Sequence, residues 1–224
     1  MSSVRSEVEP SSPSALSVSG LYKVFGRRPK EVLKGLDSGK TRDELQEYGT
    51  AAVIDANFDV KPGEIFVVMG LSGSGKSTLI RMLTGLNPIS RGSVQVWGTE
   101  VDGLQGDKLR ELRREKMSMV FQHFALLPHR TVLENVAYGL EIQGVAKEER
   151  LEQARSWLQR VGLTGWEDSL PSELSGGMQQ RVGLARAFAA NTEILLMVEA
   201  FSAVDPLFRR ELQELLHEVE EELG

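Results

Sequence analysis

Apolar and polar positions alternate through residues 16–26, LSVSGLYKVFG. A period of two predicts a strand with Leu16, Val18, Tyr22 and Val24 facing inward. Residues 27–49 are highly charged. Their second half, TRDELQEYG, predicts a short helix with Thr41 as N-cap, Glu44 completing a capping box and Gly49 as the stop. A second strand, TAAVIDANFDV, fills 50–60 and closes at the Pro62-Gly63 turn. EIFVVMG, 64–70, is continuously apolar, the pattern of a strand buried on both faces of a sheet. A glycine-rich loop follows, and then the helical KSTLIRMLTGL. GSVQVWG, 92–98, and MSMVFQ, 117–122, predict short strands on either side of a charged helix at 107–116. From 132 to 190 the periodicity is helical in three segments, interrupted by Pro171 and an LSGG turn. EILLMV predicts one more strand. After it Asp205 and Pro206 suit the N-cap and first position of a last helix, whose apolar stripe includes Leu207, Leu212, Leu216 and Val219. Early strands, a helical insert and a returning strand predict an α/β sheet with a helical subdomain. No internal repeat and no coiled coil is visible.

Composition narrows the classes. The 224 residues are 41% hydrophobic, enough for a sizeable core. Formal net charge is −6, which disfavours a general nucleic-acid-binding surface. There is no cysteine, so disulfides and thiolate metal sites are excluded. No apolar run approaches the roughly 18–20 residues needed to span a bilayer, and the N-terminus lacks the apolar core of a signal peptide. Residues 1–15 are rich in serine and proline and predict a disordered tail.

GLSGSGKST, 70–78, fits the phosphate-loop pattern Gly-x4-Gly-Lys-Ser/Thr, between an apolar strand and a helix. Gly70, Gly73 and Gly75, with Ser72 and Ser74 between them, let successive backbone N–H groups turn inward toward phosphate oxygens. The helix N-terminus adds partial positive charge. Lys76 supplies a full charge for the β- and γ-phosphates, Ser77 a hydroxyl for Mg²⁺, and Thr78 a donor for another phosphate oxygen. The motif indicates a nucleoside triphosphate and does not separate GTPases, kinases, helicases and transport ATPases.

A second glycine turn discriminates among these. In LSGGMQQRVGLARAFA, 174–189, Ser175 is a good N-cap, and Gly176 and Gly177 bare the amides of a helix start, a second anion-binding turn. LSGGMQQR resembles the signature motif of the ATP-binding subunits of ABC transporters. In that family two subunits pair head to tail, and the phosphate loop of one closes on ATP with the signature of the other. The resemblance implies a phosphate-loop, RecA-like α/β core over residues 16–224, with an antiparallel β subdomain and an inserted helical subdomain at about 125–185. It implies that Ser175, Gly176, Gly177 and Gln179 face a partner's ATP. Gln122, in VFQHFALLPHRTVLENV, matches the Q-loop, which touches Mg²⁺ and the attacking water. Glu199 matches the catalytic base, with Gln122 and Lys76 beside it in the catalytic set, and Asp205 in SAVDP matches the D-loop acid. Phe25 is the first choice for the aromatic that stacks on adenine, with Tyr22 as runner-up; either could instead be a core or edge-strand side chain. The charged segment at 27–49, GLSGSGKSTLIRMLTGLNP and VFQHFALLPHRTVLENVAYGLEIQG are similar to the glycine betaine/proline importers of bacteria. Implied partners are a second ATPase subunit, transmembrane permease subunits and, indirectly, a periplasmic or lipid-anchored substrate-binding protein. The implied location is peripheral, on the cytoplasmic side of the cell membrane, and no nucleic-acid partner is expected.

Two positions depart from the family pattern. Where the family's Walker B strand ends Asp-Glu, this one ends Val198-Glu199. Valine suits a buried strand but cannot bind magnesium or hold its waters. The family's switch histidine has no counterpart: His123 and His129 lie around the Q-loop and His217 in a charged helix. The expectation is therefore a C-terminally truncated cassette that binds ATP and hydrolyses it very slowly. A hydrolysis-deficient regulatory subunit or a truncated gene copy is the alternative. A non-transport ABC ATPase of DNA repair or ribosomes is a third reading, disfavoured by the single cassette without long coiled coils.

Overall fold

The computed structural model describes residues 14–120 and 125–197. The chain divides into two compact units between Gly103 and Leu104. The expected N-terminal tail, the end of the strand at 117–122 and the last helix with its Asp205 cap lie wholly or largely outside the described residues.

In the first unit β1 (Leu16–Phe25) is the hub of an antiparallel sheet. It pairs with β2 (Thr50–Val60) on one edge and β3 (Arg91–Val96) on the other, and β4 (Thr99–Glu100) closes on β3. Leu16, Val18 and Val24 are buried as predicted, but the alternation breaks at Gly20. That residue takes φ +52°, and the ladder to β2 jumps from Val18 to Leu21. A bulge of this kind moves the following side chains to the opposite face. Leu21 is completely buried in place of Tyr22, which is half-buried. A Cβ on Gly92 would lie 2.1 Å from the Gly20 carbonyl oxygen, so β3 approaches the bulge through a glycine.

The charged segment between β1 and β2 holds a helix that its composition conceals, α1 (Pro29–Asp37). Proline at its start has a φ already suited to a helix. Val32 is fully buried, and Leu33 and Leu36 pack with it against Val24, Leu45 and Ala51. The helix predicted from Thr41 shrinks to a single 3₁₀ turn, Asp43–Leu45. Its capping residues behave as expected: Thr41 N–H donates to Glu44 Oε2 (2.7 Å), and Glu44 N–H to Thr41 Oγ1 (3.4 Å). The Thr41 N–H foremost, and then the Thr41 hydroxyl donating to the same oxygen at 2.8 Å, hold the Glu44 carboxyl below its usual range. Leu45 is the turn's only buried side chain, too little apolar surface to extend the helix. Arg91 ties the segment to the sheet by donating to both carboxylate oxygens of Asp37 at 2.8 and 2.9 Å. The segment leaves and rejoins the sheet through a narrow neck. A Cβ on Gly49 would sit 2.5 Å from the Phe25 carbonyl oxygen, and one on Gly26 would sit 2.7 Å from the Gly49 Cα.

Residues 64–70 depart most from expectation. They form no strand, and Ile65, Phe66, Val67, Val68 and Met69 are all exposed, Met69 by 87%. A strand buried on both faces needs a ladder on each edge, and among the described residues no strand pairs with this one. Phe66 finds partial cover by stacking on Phe58, ring centroids 4.7 Å apart. The helix after it, α2 (Lys76–Leu83), is anchored by Leu79, Met82 and Leu83.

The second unit comprises α3 (Gly106–Lys116), β5 (Met117–Val120), α4 (Val132–Ile142), α5 (Lys147–Arg160), α6 (Gly176–Ala189) and β6 (Ile194–Met197). The two strands pair in parallel, Met117 opposite Ile194. Val132, Val136 and Leu140 of α4, Leu158 of α5, and Val182 and Ala185 of α6 form one buried cluster. The buried residues of this cluster run from Val132 to Ala189. Helix α6 runs on to Ala189, and its Leu184 and Phe188 pack on Val120 of β5.

Candidate functional site

The residues predicted to bind phosphate form a single turn in the first unit. Gly73 and Gly75 take φ of +79° and +97°, the left-handed region that side chains disfavour. Gly75 is the N-cap of α2 and lies against β2: a Cβ there would stand 2.2 Å from the Ala52 carbonyl oxygen. Gly70 faces Ser74, whose Oγ would be 2.6 Å from a Cβ at position 70. Ser74 N–H donates to Leu71 carbonyl oxygen at 3.1 Å, tightening the turn. Lys76 folds back over it, its ammonium donating to the carbonyl oxygens of Gly70 (2.8 Å) and Leu71 (2.9 Å). The lysine is thus held over the loop it must serve. Ser72 is exposed, and Ser77 and Thr78 are half-buried on the first turn of α2. The glycine cradle, the helix start and the lysine fit a polyphosphate. A cleft of about 240 Å³ opens beside the turn and is lined by Gly75, Lys76, Val53, Met69 and Arg42.

Phe25 ends β1 and is 43% exposed, with the Lys23 ammonium 4.8 Å from its ring centroid. Tyr22 is the poorer stacking platform, because the Arg91 guanidinium already covers its ring at 3.8 Å.

The second glycine turn lies in the other unit and has the local structure its sequence predicts. Ser175 Oγ accepts from Met178 N–H at 3.3 Å, capping α6. Gly176 and Gly177 open the helix, exposed, with nothing within 4 Å of where a Cβ would project. Gln179 has a local task that its spacing did not reveal. Its amide NH₂ donates to the carbonyl oxygens of Pro171 (3.0 Å) and Leu174 (3.2 Å), binding the turn to the helix it precedes. Gln122, Val198, Glu199 and Asp205 lie outside the described residues. His129 is exposed on the loop before α4.

Sequence reasoning missed two residues that shape the segment after Gln122. Asn135 is wholly buried in α4. Its amide donates to the carbonyl oxygens of Leu127 (3.1 Å), Arg130 (3.1 Å) and Thr131 (2.9 Å), and its Oδ1 accepts from Leu127 N–H (2.8 Å). A polar residue on an otherwise apolar helix stripe is the signal that could have found it. Arg186 of α6 donates to the Ala125 carbonyl oxygen at 2.9 Å and holds that residue at φ +44°. Replacing Asn135 with alanine strands several buried backbone groups. An unmet buried group costs about 1–3 kcal/mol, so this variant should lose roughly 3 kcal/mol of stability, read from the urea midpoint.

Comparison with known proteins identifies the family. The family model described as ABC transporter matches residues 53–202. The chain is 50% identical over 214 residues to the glycine betaine transport ATP-binding protein OpuAA of Bacillus subtilis, covering 95% of this chain and 51% of that protein. It is 51% identical over 212 residues to the glycine betaine/carnitine transport ATP-binding protein GbuA of Listeria monocytogenes, covering 94% and 53% respectively. The chain therefore spans about half the length of the curated relatives it matches. Among solved structures, the dimeric post-hydrolysis state of the ATP-binding cassette MJ0796 bound to ADP and Pi superposes with a TM-score of 0.79 at 31% identity, over 92% of this chain and 83% of that one. Matched by that family model over residues 53–202, and with each glycine turn on a helix start, this chain belongs to the ABC transporter family.

Proposed function

We propose that the chain is the ATP-binding, energy-coupling subunit of an importer for glycine betaine/proline-type osmoprotectants. The observation that carries this reading is the phosphate cradle, with two left-handed glycines and Lys76 folded over the turn, in a chain that also bears a signature helix start. The described residues divide the work. Amides of the loop and the Lys76 ammonium bind the β- and γ-phosphates, Thr78 serves another phosphate oxygen, and Phe25 stacks on adenine. Gly176 and Gly177, capped by Ser175, offer amides to the nucleotide of a second subunit paired head to tail, and Gln179 braces that turn. Ser77 is the described residue suited to hold Mg²⁺, with Gln122 as its sequence-assigned companion. Bound there, the ion would neutralise charge on the phosphates. Glu199 is the assigned base and Asp205 the D-loop acid. The names of the relatives support betaine-type transport; permease subunits as partners and a peripheral site on the cytoplasmic face of the membrane are what the family resemblance implies. Among the described residues no helix is long and apolar enough to cross a bilayer.

A second reading keeps the ATP site and removes efficient turnover, because Val198 stands where the family has an aspartate. Hydrolysis separates the two, and ATP binding tests the site they share. Fluorescent ATP should bind saturably to the wild-type chain and at least tenfold more weakly to Lys76→Ala, since one lost charge-assisted contact is worth about 1.5–3 kcal/mol. Equal affinity in the two proteins would remove the basis of the reading.

A further inference from the structure

Arg42 belongs to the charged segment between β1 and β2, far in sequence from the phosphate loop, and no motif points to it. It nonetheless lines the cleft that Gly75 and Lys76 line. Its position is fixed by one atom. Arg42 Nη2 donates to the Ala52 carbonyl oxygen at 3.3 Å. The same oxygen lies 2.2 Å from where a Cβ would stand on Gly75. Allowing one Cα–Cβ bond, of about 1.5 Å, these distances put the guanidinium nitrogen within about 7 Å of the Gly75 Cα. A polyphosphate seated on the loop's amides would therefore be within reach of Arg42, whose side chain is long and exposed. The fork of N–H donors suits phosphate oxygens, and a single weak bond to a carbonyl leaves most of it unspent at this contact.

We propose that Arg42 is a second cation of the phosphate site, carried there by the segment between β1 and β2, and that it contacts the polyphosphate of the bound nucleotide. The inference rests on the nucleotide-binding reading above. The segment therefore contributes directly to nucleotide affinity. Its attachments elsewhere, Asp37 to Arg91 and Val32 in the core, hold the base from which Arg42 reaches.

The test measures equilibrium binding of fluorescent ATP, ADP and AMP analogues to wild type, Arg42→Ala and Arg42→Lys, with Lys76→Ala as the reference for a lost phosphate contact. Thermal melts check that each variant is folded. A cation that meets phosphate predicts a loss of about tenfold for ATP in Arg42→Ala. The loss should be smaller for ADP and smallest for AMP, and Arg42→Lys should recover part of it. Unchanged ATP affinity in Arg42→Ala overturns the proposal and leaves Arg42 as a tie between the segment and β2. An equal loss for all three nucleotides also overturns it, because that pattern marks a displaced segment. Failure of the wild-type chain itself to bind ATP sinks the nucleotide reading and this inference with it.

Discussion

Gly75→Ala should cost roughly a hundredfold in ATP affinity while leaving most of the fold intact. Two penalties coincide at this position. An L-residue at φ +97° loses about 1–2 kcal/mol in the left-handed region. The new methyl group also meets the Ala52 carbonyl oxygen at 2.2 Å, a backbone atom that cannot swing away. Overpacking of this kind costs about 1–3 kcal/mol. The loop can escape both by moving off β2, but it then abandons the conformation that presents its amides. Binding must restore that conformation, so the strain appears as weakened affinity, at about 1.4 kcal/mol per factor of ten. Gly73→Ala supplies the internal comparison. It shares the left-handed backbone, φ +79°, but its Cβ would meet nothing within 4 Å. Its loss should be about tenfold. Equal affinities for Gly75→Ala and wild type would mean that the loop's approach to β2 is irrelevant to binding.

Val198→Asp should raise single-turnover ATP hydrolysis by about 10–100-fold, the range by which groups around a metal's ligands change affinity or activity. Valine has no atom that can accept a hydrogen bond from a metal-bound water, whereas aspartate at this place in phosphate-loop enzymes supports the metal. Nucleotide affinity without a metal should be unchanged, because an aspartate at this place serves the metal. Mn²⁺ binding in the presence of a non-hydrolysable ATP analogue gives a readout independent of rate, and it should tighten by a similar factor. Adding Glu199→Gln to Val198→Asp should erase the gain in rate and spare the gain in metal binding. If neither rate nor metal affinity responds to the aspartate, the valine is not what limits this chain.

The glycine turn at 70–78 was legible because it resides in local order. The residues of 70–78 follow one another along the chain, and the glycines that permit the turn are the ones the motif prescribes. The same holds for Ser175 at the start of α6, where cap and helix are neighbours. Features that depend on distant neighbours were not legible. The bulge at Gly20 turns Leu21 inward, where Gly92 of another strand and Asn57 of β2 close on it. The apolar run at 64–70 reads as a buried strand, since periodicity records composition and says nothing of which ladder is available. In α1, Val32 and the leucines beside it were masked by the lysines, arginines and acids around them. Arg42 was invisible for a related reason: one arginine in a charged segment carries no signal until the fold brings it beside Gly75. Gln179 was read for a role toward a nucleotide, and its bonds to Pro171 and Leu174 add a bracing role that spacing alone could not disclose.

The glycine neck at Gly26 and Gly49 gives the segment between β1 and β2 a modular character. Phe25 and Thr50 are ladder partners, so the sheet is continuous whether or not the segment is present. Lengthening a four-residue turn to a connection of this size costs only about 1.6 kcal/mol in closure entropy, since that cost grows with the logarithm of length. The hairpin therefore tolerates grafting. A sheet of this design can acquire, exchange or shed its accessory arm in one step, without any substitution in the loop at 70–78.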